Sequence, residues 1–412
     1  MPEPLTHRVQ PMSGRDPDQD HRAATPLELL FDLAFVVAFG TAANELAHYL
    51  AEDHIEVGVV GFLFATFAIS WAWINFAWFA SAYDTDDWIY RLTTMVQMVG
   101  VLVLALGLSD MFASLEEGGH VDNAVMVAGY VVMRVAMTVQ WARASRDDPA
   151  RRGACLTNVG YVLAAQVGWI LLLFAHTSVL VTFLCIVPLV LLELAGPLFA
   201  ETRHGGIPWH AHHIAERYGL LVIIALGEGM IGTMASMSAI VGPHGEGWSV
   251  DFVLVGLAGV AITFGMWWVY FVIPHGAILS RRRERSLGWG YGHIPIFGAT
   301  VAVGAGLHVA AYYLEHHSKL GTLGTTVAVA LPLGVYLLMV FALYAQLTHT
   351  LDPFHLLLLA LTAVIVGGAV LLAAAGVSLA LSLTVLALSP WVTVVGYELV
   401  GHRHNARVLA AL

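Results

Sequence analysis

Charged residues are scarce in this sequence of 412 residues, because Asp, Glu, Lys and Arg together make up only 11% of it. Apolar residues supply 58%, and the mean hydropathy is +0.75. A soluble domain carries about 25% charged residues, so this composition excludes an ordinary soluble protein. A helix needs about 20 consecutive apolar residues to cross a bilayer, and such stretches recur along the chain. The sequence therefore predicts an all-α, polytopic integral membrane protein.

Cysteine and lysine are also nearly absent. Cys155 and Cys185 are too few for a disulfide framework or a cysteine-based metal site, and Lys319 is the only lysine. The sequence contains no Gly-rich phosphate loop, zincin helix or nucleophile elbow, so it predicts no cofactor. The basic run Arg281–Arg285 indicates a topology anchor beside acidic lipid and does not favour nucleic-acid binding.

Twelve apolar runs are long enough to span a membrane. Basic residues collect before the first run and after even-numbered runs, and the opposite connections contain only Lys319. Under the positive-inside rule this alternation predicts twelve spans with both termini in the cytoplasm. The predicted spans are 27–50, 57–82, 89–109, 121–141, 157–176, 178–200, 213–241, 251–273, 291–313, 323–347, 354–376 and 378–400.

The two halves of the chain share several features. Glu28 and Glu216 each open an apolar run, and the sixth and twelfth spans share "ELAG" at Glu193 and "ELVG" at Glu398. These matches suggest a six-plus-six repeat about an axis along the membrane normal, as in many transporters. A common composition of apolar helices is the alternative. The predicted parts are a disordered cytoplasmic tail (1–25), a first half (26–200), a cytoplasmic linker (201–212), a second half (213–401) and a cytoplasmic tail (402–412).

Glu228 lies within an apolar run of the seventh span. If that helix enters the membrane near Tyr218, Glu228 lies about 15 Å deeper, close to the bilayer centre. An acidic residue there costs roughly 2.5 to 3.5 kcal/mol, so such residues usually mark an ion pathway, a proton relay or a ligand site. Gly227 and Gly229 leave room for a helix, a substrate or water. The alternative is a protonated glutamate that only links packed helices.

The first span also carries acidic residues. Thr25 is a predicted N-cap, Pro26 follows it, and Glu28 and Asp32 lie four residues apart on one helix face. Glu28 complements the helix dipole, whereas Asp32 needs another explanation.

Arg134 in the fourth span lies at a depth similar to that of Asp32. Two opposite charges at one depth predict an Asp32–Arg134 ion pair, for which Glu193 is the competing partner. The pair would serve either structure or a cytoplasmic gate.

Histidines gather at the start of the seventh span. The spacing of His213 and Glu216 resembles that of carboxylate-bridged metal sites, but no paired Glu-x-x-His repeat is present. We therefore predict no metal site and keep His213 and Glu216 as weak candidates. His293 in the ninth span is a candidate proton relay.

Tryptophans cluster in the second and eighth spans. Most are explained by interfacial belts, but some lie deeper than a belt requires. Two interpretations remain, namely an aromatic-lined cavity and simple aromatic packing between helices. The cavity candidates are Trp73, Asn75, Trp267 and Trp268.

The motif "P-x-E-L-x-F-D-L" at Pro26 to Leu33 and the motif "E-R-x-x-x-x-x-I-x-x-L-G-E" at Glu216 to Glu228 resemble those of the bacterial low-temperature-requirement A (LtrA) family. The likeness extends over residues 25 to 400. It implies a multi-pass protein of the bacterial inner membrane, and the family name records a cold-growth phenotype without identifying a reaction. The family motifs place Glu28, Asp32, His213, Glu216, Arg217 and Glu228 among the candidate residues without assigning them roles.

Three functions follow from these observations. The favoured one is a transporter or an ion- or proton-coupled permease for a small molecule or ion in the lipid bilayer. Its pathway candidates are Glu228, Asp32, Arg134, Glu28, Glu193, Glu216, Arg217 and His293. A membrane-embedded enzyme or lipid-handling protein is the second, and a non-catalytic sensor or assembly factor is the third. The sequence leaves the oligomeric state open, since small-residue helix faces permit dimers.

Overall fold

The computed structural model describes residues 9–19, 22–241, 248–350 and 352–411. Twelve of its helices are long and apolar enough to span a membrane, which confirms the predicted all-α, polytopic fold. They are α1 (Pro26–Ala51), α2 (Ile55–Tyr83), α3 (Trp88–Glu117), α4 (Ala124–Asp147), α5 (Pro149–Phe174), α6 (Val179–His204), α7 (Ala211–Val241), α8 (Val250–Arg281), α9 (Arg283–Leu314), α10 (Thr322–Thr348), α11 (Pro353–Ala374) and α12 (Leu379–Gly401). A further helix, α13 (His402–Ala411), follows.

The observed helices contain the centres of the predicted spans but extend beyond several of their polar ends. For example, α9 begins at Arg283, where the apolar pattern predicts a start at residue 291. Continuing the helix satisfies backbone N–H and C=O groups near the bilayer. Polar side chains that lie outside the hydrocarbon do not prevent the helix from extending. Between the long parts of α8 and α9, the helix is interrupted after Phe271, and a short helical segment, His275–Arg281, and a 3₁₀ turn, Arg283–Arg285, follow.

The first spanning helix begins with a capping box. The Glu28 backbone N–H donates to Thr25 Oγ1 at 3.2 Å, and the Thr25 N–H donates back to Glu28 Oε2 at 2.8 Å. Two backbone donors that a helix start would leave unpaired are thereby satisfied. The predicted N-cap at Thr25 is confirmed.

The helices form two compact units. One contains the chain up to Ala38 together with Ala68–Arg217, and the other contains Phe39–Phe67 and Tyr218–Leu412. Three helices, α1, α2 and α7, thus contribute residues to both units. The six-plus-six repeat stays a prediction.

Large apolar side chains are exposed on the helices of both units. Leu180 and Leu371 are each 70% exposed, and Leu331 is 65% exposed. Helix faces of this composition suit contact with lipid hydrocarbon. They agree with the predicted bilayer environment.

Close contact between α3 and α4 in the first unit depends on glycine. A Cβ atom added to Gly129 would lie 2.3 Å from the backbone nitrogen of Leu104, and one added to Gly100 would lie 2.7 Å from the Gly129 carbonyl oxygen. Small residues allow membrane helices to bring their backbones together in this way.

Replacing Gly129 with Ala is expected to destabilise the protein by about 1 to 3 kcal/mol, because the new methyl group meets backbone atoms that cannot turn away. The measurement is the apparent Tm in detergent. Gly160→Ala is the matched control, since a Cβ at that helical position meets nothing within 4 Å. Equal melting of the Gly129→Ala variant and the wild type would contradict this packing.

Candidate functional site

Four buried ionisable side chains of the first unit form an ion cluster. Glu28 and Asp32 lie four residues apart on α1, and His213 and Arg217 lie four residues apart on α7, so each pair occupies one helix face. His213 Nε2 lies 3.2 Å from Glu28 Oε2, and Arg217 Nη1 lies 2.8 Å from Glu28 Oε1. Arg217 also pairs with Asp32 through Nη2. One guanidinium therefore forms ion pairs with two carboxylates.

Trp73 completes this ion cluster. Its indole Nε1 donates to Asp32 Oδ1 at 2.7 Å, and the Arg217 guanidinium carbon lies 5.6 Å from the centroid of the Trp73 ring. An indole can combine a hydrogen bond at its edge with a cation at its face. Trp73 thus positions both members of the Asp32–Arg217 pair.

The predicted Asp32–Arg134 ion pair is wrong. Asp32 pairs with Arg217, and the competing partner Glu193 holds Arg134, with Nη2 and Oε2 3.1 Å apart. Matching depth alone could not choose between two acids, because helix neighbours are decided by tertiary packing.

Glu193 on α6 is the centre of a second cluster in the first unit, where it is only 4% exposed. Besides Arg134, its carboxylate accepts hydrogen bonds from two indoles, a phenol and an amide on α2, α4 and α5. These contacts join four helices around one carboxylate. The donor distances are 2.7 Å for Trp71, 2.9 Å for Tyr130 and 3.3 Å for both Gln166 and Trp169.

Sequence analysis did not select these four additional donors. Trp71, Tyr130, Gln166 and Trp169 lie on three different helices, and only Gln166 and Trp169 are connected by a helical spacing. The only available signal was that an arginine and a glutamate within apolar spans each require polar partners.

Arg134→Met is expected to destabilise the protein by about 3 to 5 kcal/mol, because it leaves the Glu193 carboxylate buried without a counter-charge. The double variant Arg134→Met/Glu193→Gln is expected to melt at a higher temperature than Arg134→Met. It removes the stranded charge but keeps an oxygen that accepts from Trp71. Thermal unfolding in detergent measures both. A double variant less stable than Arg134→Met would contradict the claim that the unpaired Glu193 carboxylate causes the loss of stability.

Asp84 lies in the turn after α2, outside the spanning segments, and is 8% exposed. Burial and the nearby Glu28 carboxylate raise the pKa of its carboxyl group to about 6, while Arg22 opposes both effects. The protonated form is therefore favoured in the folded protein up to mildly acidic pH.

Because this pKa is raised on folding, the stability that Asp84 contributes is full below pH 4 and is lost as the pH rises through about 6. The change corresponds to at most about 3 kcal/mol. We expect this effect to lower the apparent Tm between pH 4 and pH 7, and Asp84→Asn to remove that part of the pH dependence. An unchanged pH profile in the variant would show that Asp84 titrates normally.

Glu228 belongs to the second unit and occupies the middle of α7. It lies about 25 Å along the helix from Ala211 and about 20 Å from Val241, at the usual rise per residue. Its side chain fits beside two glycines. A Cβ on Gly40 would lie 3.1 Å from Glu228 Oε1, and one on Gly304 would lie 2.6 Å from Glu228 Cβ.

Glu228 as a whole is 4% exposed. Within the described ranges, no hydrogen-bond donor or cation contacts it. An ionised carboxylate in hydrocarbon without such partners is costly. This distinguishes Glu228 from the carboxylates of Glu28, Asp32 and Glu193, each of which has an arginine partner.

His293 on α9 is fully buried in the second unit, about 15 Å from the helix start at Arg283. Its Nδ1 lies 2.8 Å from the Trp289 carbonyl oxygen, and its Nε2 lies 2.9 Å from the Tyr270 hydroxyl. A neutral imidazole with its proton on Nδ1 satisfies both contacts, since Tyr270 can then donate to Nε2. Both ring nitrogens are thus occupied within the protein.

The remaining candidates lie outside these clusters. Glu216 is exposed, and so are Trp267 (41%) and Trp268 (36%), so the two tryptophans do not line an enclosed cavity. Asn75 Nδ2 donates to the Trp71 carbonyl oxygen at 2.9 Å within its own helix. In the part of the chain that the structure describes, no group of three or more His, Cys, Asp or Glu side chains is placed to hold a metal ion.

Comparison with known proteins agrees with the motifs. A family model described as bacterial low temperature requirement A protein (LtrA) matches residues 23–390. An uncharacterized protein of Rhizobium meliloti (strain 1021) is 26% identical over 326 residues, which are 75% of this chain and 74% of that protein. No solved structure matches the chain. The family match includes both the ion cluster and Glu228.

Proposed function

The chain belongs to the bacterial low temperature requirement A family, and we propose that it is a proton- or ion-coupled transporter in which Glu228 is the coupling site. The family description names no substrate. We place the protein in the bacterial inner membrane with both termini in the cytoplasm, on the basis of its basic loops.

One observation carries the proposal, namely the absence of a protein partner for Glu228 among the described residues. A carboxyl group deep in the membrane can change its charge during a transport cycle only if no permanent counter-charge holds it ionised. Glu193 and Asp32 fail this requirement, since Arg134 and Arg217 are fixed beside them. Glu228 meets it, and proton or cation release then depends on access of water to the carboxyl group.

The ion cluster has a different role in this proposal. Arg217 joins the first turns of α7 to α1 through Glu28 and Asp32. Removing one partner of a buried ion pair strongly destabilises a protein, because the other charge is left buried and unpaired. This contact therefore keeps the first turns of α7 beside the first turns of α1. Glu28, Asp32 and Arg217 are therefore assigned to structural support of the helix that carries Glu228.

The test measures charge movement on a solid-supported membrane after a pH jump, which requires no knowledge of the substrate. Proton entry to a carboxyl group within the membrane produces a transient current. We expect the wild-type protein to give this current and Glu228→Gln to lose most of it, because the amide cannot take up a proton.

Glu216→Gln is the matched control, since it removes an exposed carboxyl group from the same helix. It should leave the transient current unchanged. An undiminished current in Glu228→Gln would remove Glu228 from the mechanism. The absence of a current from correctly folded wild-type protein would instead favour a sensor or assembly factor.

A further inference from the structure

A groove of about 430 Å³ lies in the second unit, between α1, α2, α9 and α10. Its volume is within the range of about 300 to 1,000 Å³ that is usual for small-molecule sites. Thr66 is the one polar residue in its lining, which otherwise consists of apolar, glycine and proline residues. The groove therefore suits a hydrocarbon occupant.

Small side chains on two helices create this groove. On α9, Pro295, Gly298, Ala299 and Ala302 recur at the spacing of one helix face. On α10, Gly324, Ala328 and Pro332 do the same. Larger side chains at these positions would fill the space between the helices.

The groove opens towards the bilayer along its length. Leu63 on α2 is 62% exposed and Leu331 on α10 is 65% exposed, and both belong to its walls. From Ile55 to Phe67 the wall formed by α2 is about 18 Å long. Half of a hydrocarbon core is about 15 Å thick, so the groove matches the acyl chain of one leaflet.

A charged pair lies at one end of the groove. Lys319 directly precedes Leu320 of the lining, and its backbone N–H donates to the Ala51 carbonyl oxygen at 2.7 Å. Lys319 Nζ also lies 2.8 Å from Glu52 Oε2, and the lysine side chain is 61% exposed. An exposed ammonium beside an exposed carboxylate is complementary to the phosphate and ammonium of a zwitterionic headgroup.

We propose that this groove binds one glycerophospholipid, with an acyl chain between α2, α9 and α10 and the headgroup at Lys319 and Glu52. The lateral opening admits a ligand that already lies in the bilayer. The charged pair gives a reason for preferring a phospholipid to an uncharged lipid with the same chains. This site is independent of the transport proposal, because Glu228 is not among the residues that line the groove.

The experiment is native mass spectrometry of the full chain in detergent, titrated with dioleoylphosphatidylethanolamine or with dioleoylglycerol. The wild type is expected to retain one phospholipid per chain and to bind it at least tenfold more tightly than dioleoylglycerol. Ala302→Phe should lose at least tenfold in phospholipid affinity, because the ring fills the groove. Val364→Phe, at a 71% exposed position on α11, is the control and should bind as the wild type does.

Lys319→Gln tests the contribution of the headgroup separately from that of the acyl chain. It should bring the phospholipid to the affinity of dioleoylglycerol without abolishing binding of either. Equal retention by the wild type and Ala302→Phe would overturn the site, and equal affinity of the wild type for both lipids would overturn the assignment of the headgroup.

A second measurement needs no variant, in case Ala302→Phe does not fold. Phosphatidylethanolamine with a diazirine in its acyl chain is expected to label the wild-type protein mainly within residues 55–67, 294–302 and 320–335. Labelling spread evenly over the exposed helix faces would overturn the proposal.

Discussion

Hydrocarbon offers no water to a charge, and this constraint governs where the buried ionisable residues of the protein lie. In the first unit two buried arginines are paired with carboxylates, Arg217 with Glu28 and Asp32 and Arg134 with Glu193. These charges hold helices together and cannot change without loss of the contact. In the second unit Glu228 is surrounded by helix backbones at glycines and has no such neutraliser among the described residues. The need to neutralise a charge in hydrocarbon thus distinguishes the structural ion pairs from Glu228, whose carboxyl group is suited to exchange a proton or a cation.

The sequence predicted the features that depend on local composition. Apolar run length located the spans, the Thr25–Glu28 spacing located the start of α1, and helix rise placed Glu228 deep in the membrane. Pairing could not be predicted in the same way, because the partners of Arg134 and Asp32 lie 59 and 185 residues away. One signal was available and overlooked. Glu28 and Asp32 have the same four-residue spacing as His213 and Arg217, and two faces with equal spacing and opposite charge are complementary.

Small residues have two distinct consequences in α9. Towards α7 and α10, Gly304 and Gly306 allow close contact, since an added Cβ would lie 2.6 Å from Glu228 Cβ and 2.4 Å from the Ala328 carbonyl oxygen respectively. Earlier in the same helix, Gly298 and Ala302 line a groove that remains open at its side. A small residue allows close helix contact where the backbone of a neighbouring helix occupies the space of the missing side chain. Where no backbone occupies that space, a groove remains. Composition alone could not distinguish these outcomes.

The ion cluster also constrains how the chain is made. Glu28 and Asp32 enter the membrane with the first helix, whereas their partners on α7 are synthesised 185 residues later. At bacterial and eukaryotic synthesis rates this delay is roughly 10 to 40 s. Over that interval the two carboxyl groups must be protonated, remain near the lipid headgroups or be sheltered by the insertion machinery. During biogenesis the carboxyl groups of Glu28 and Asp32 therefore depend on their surroundings for the neutralisation that His213 and Arg217 provide in the folded protein.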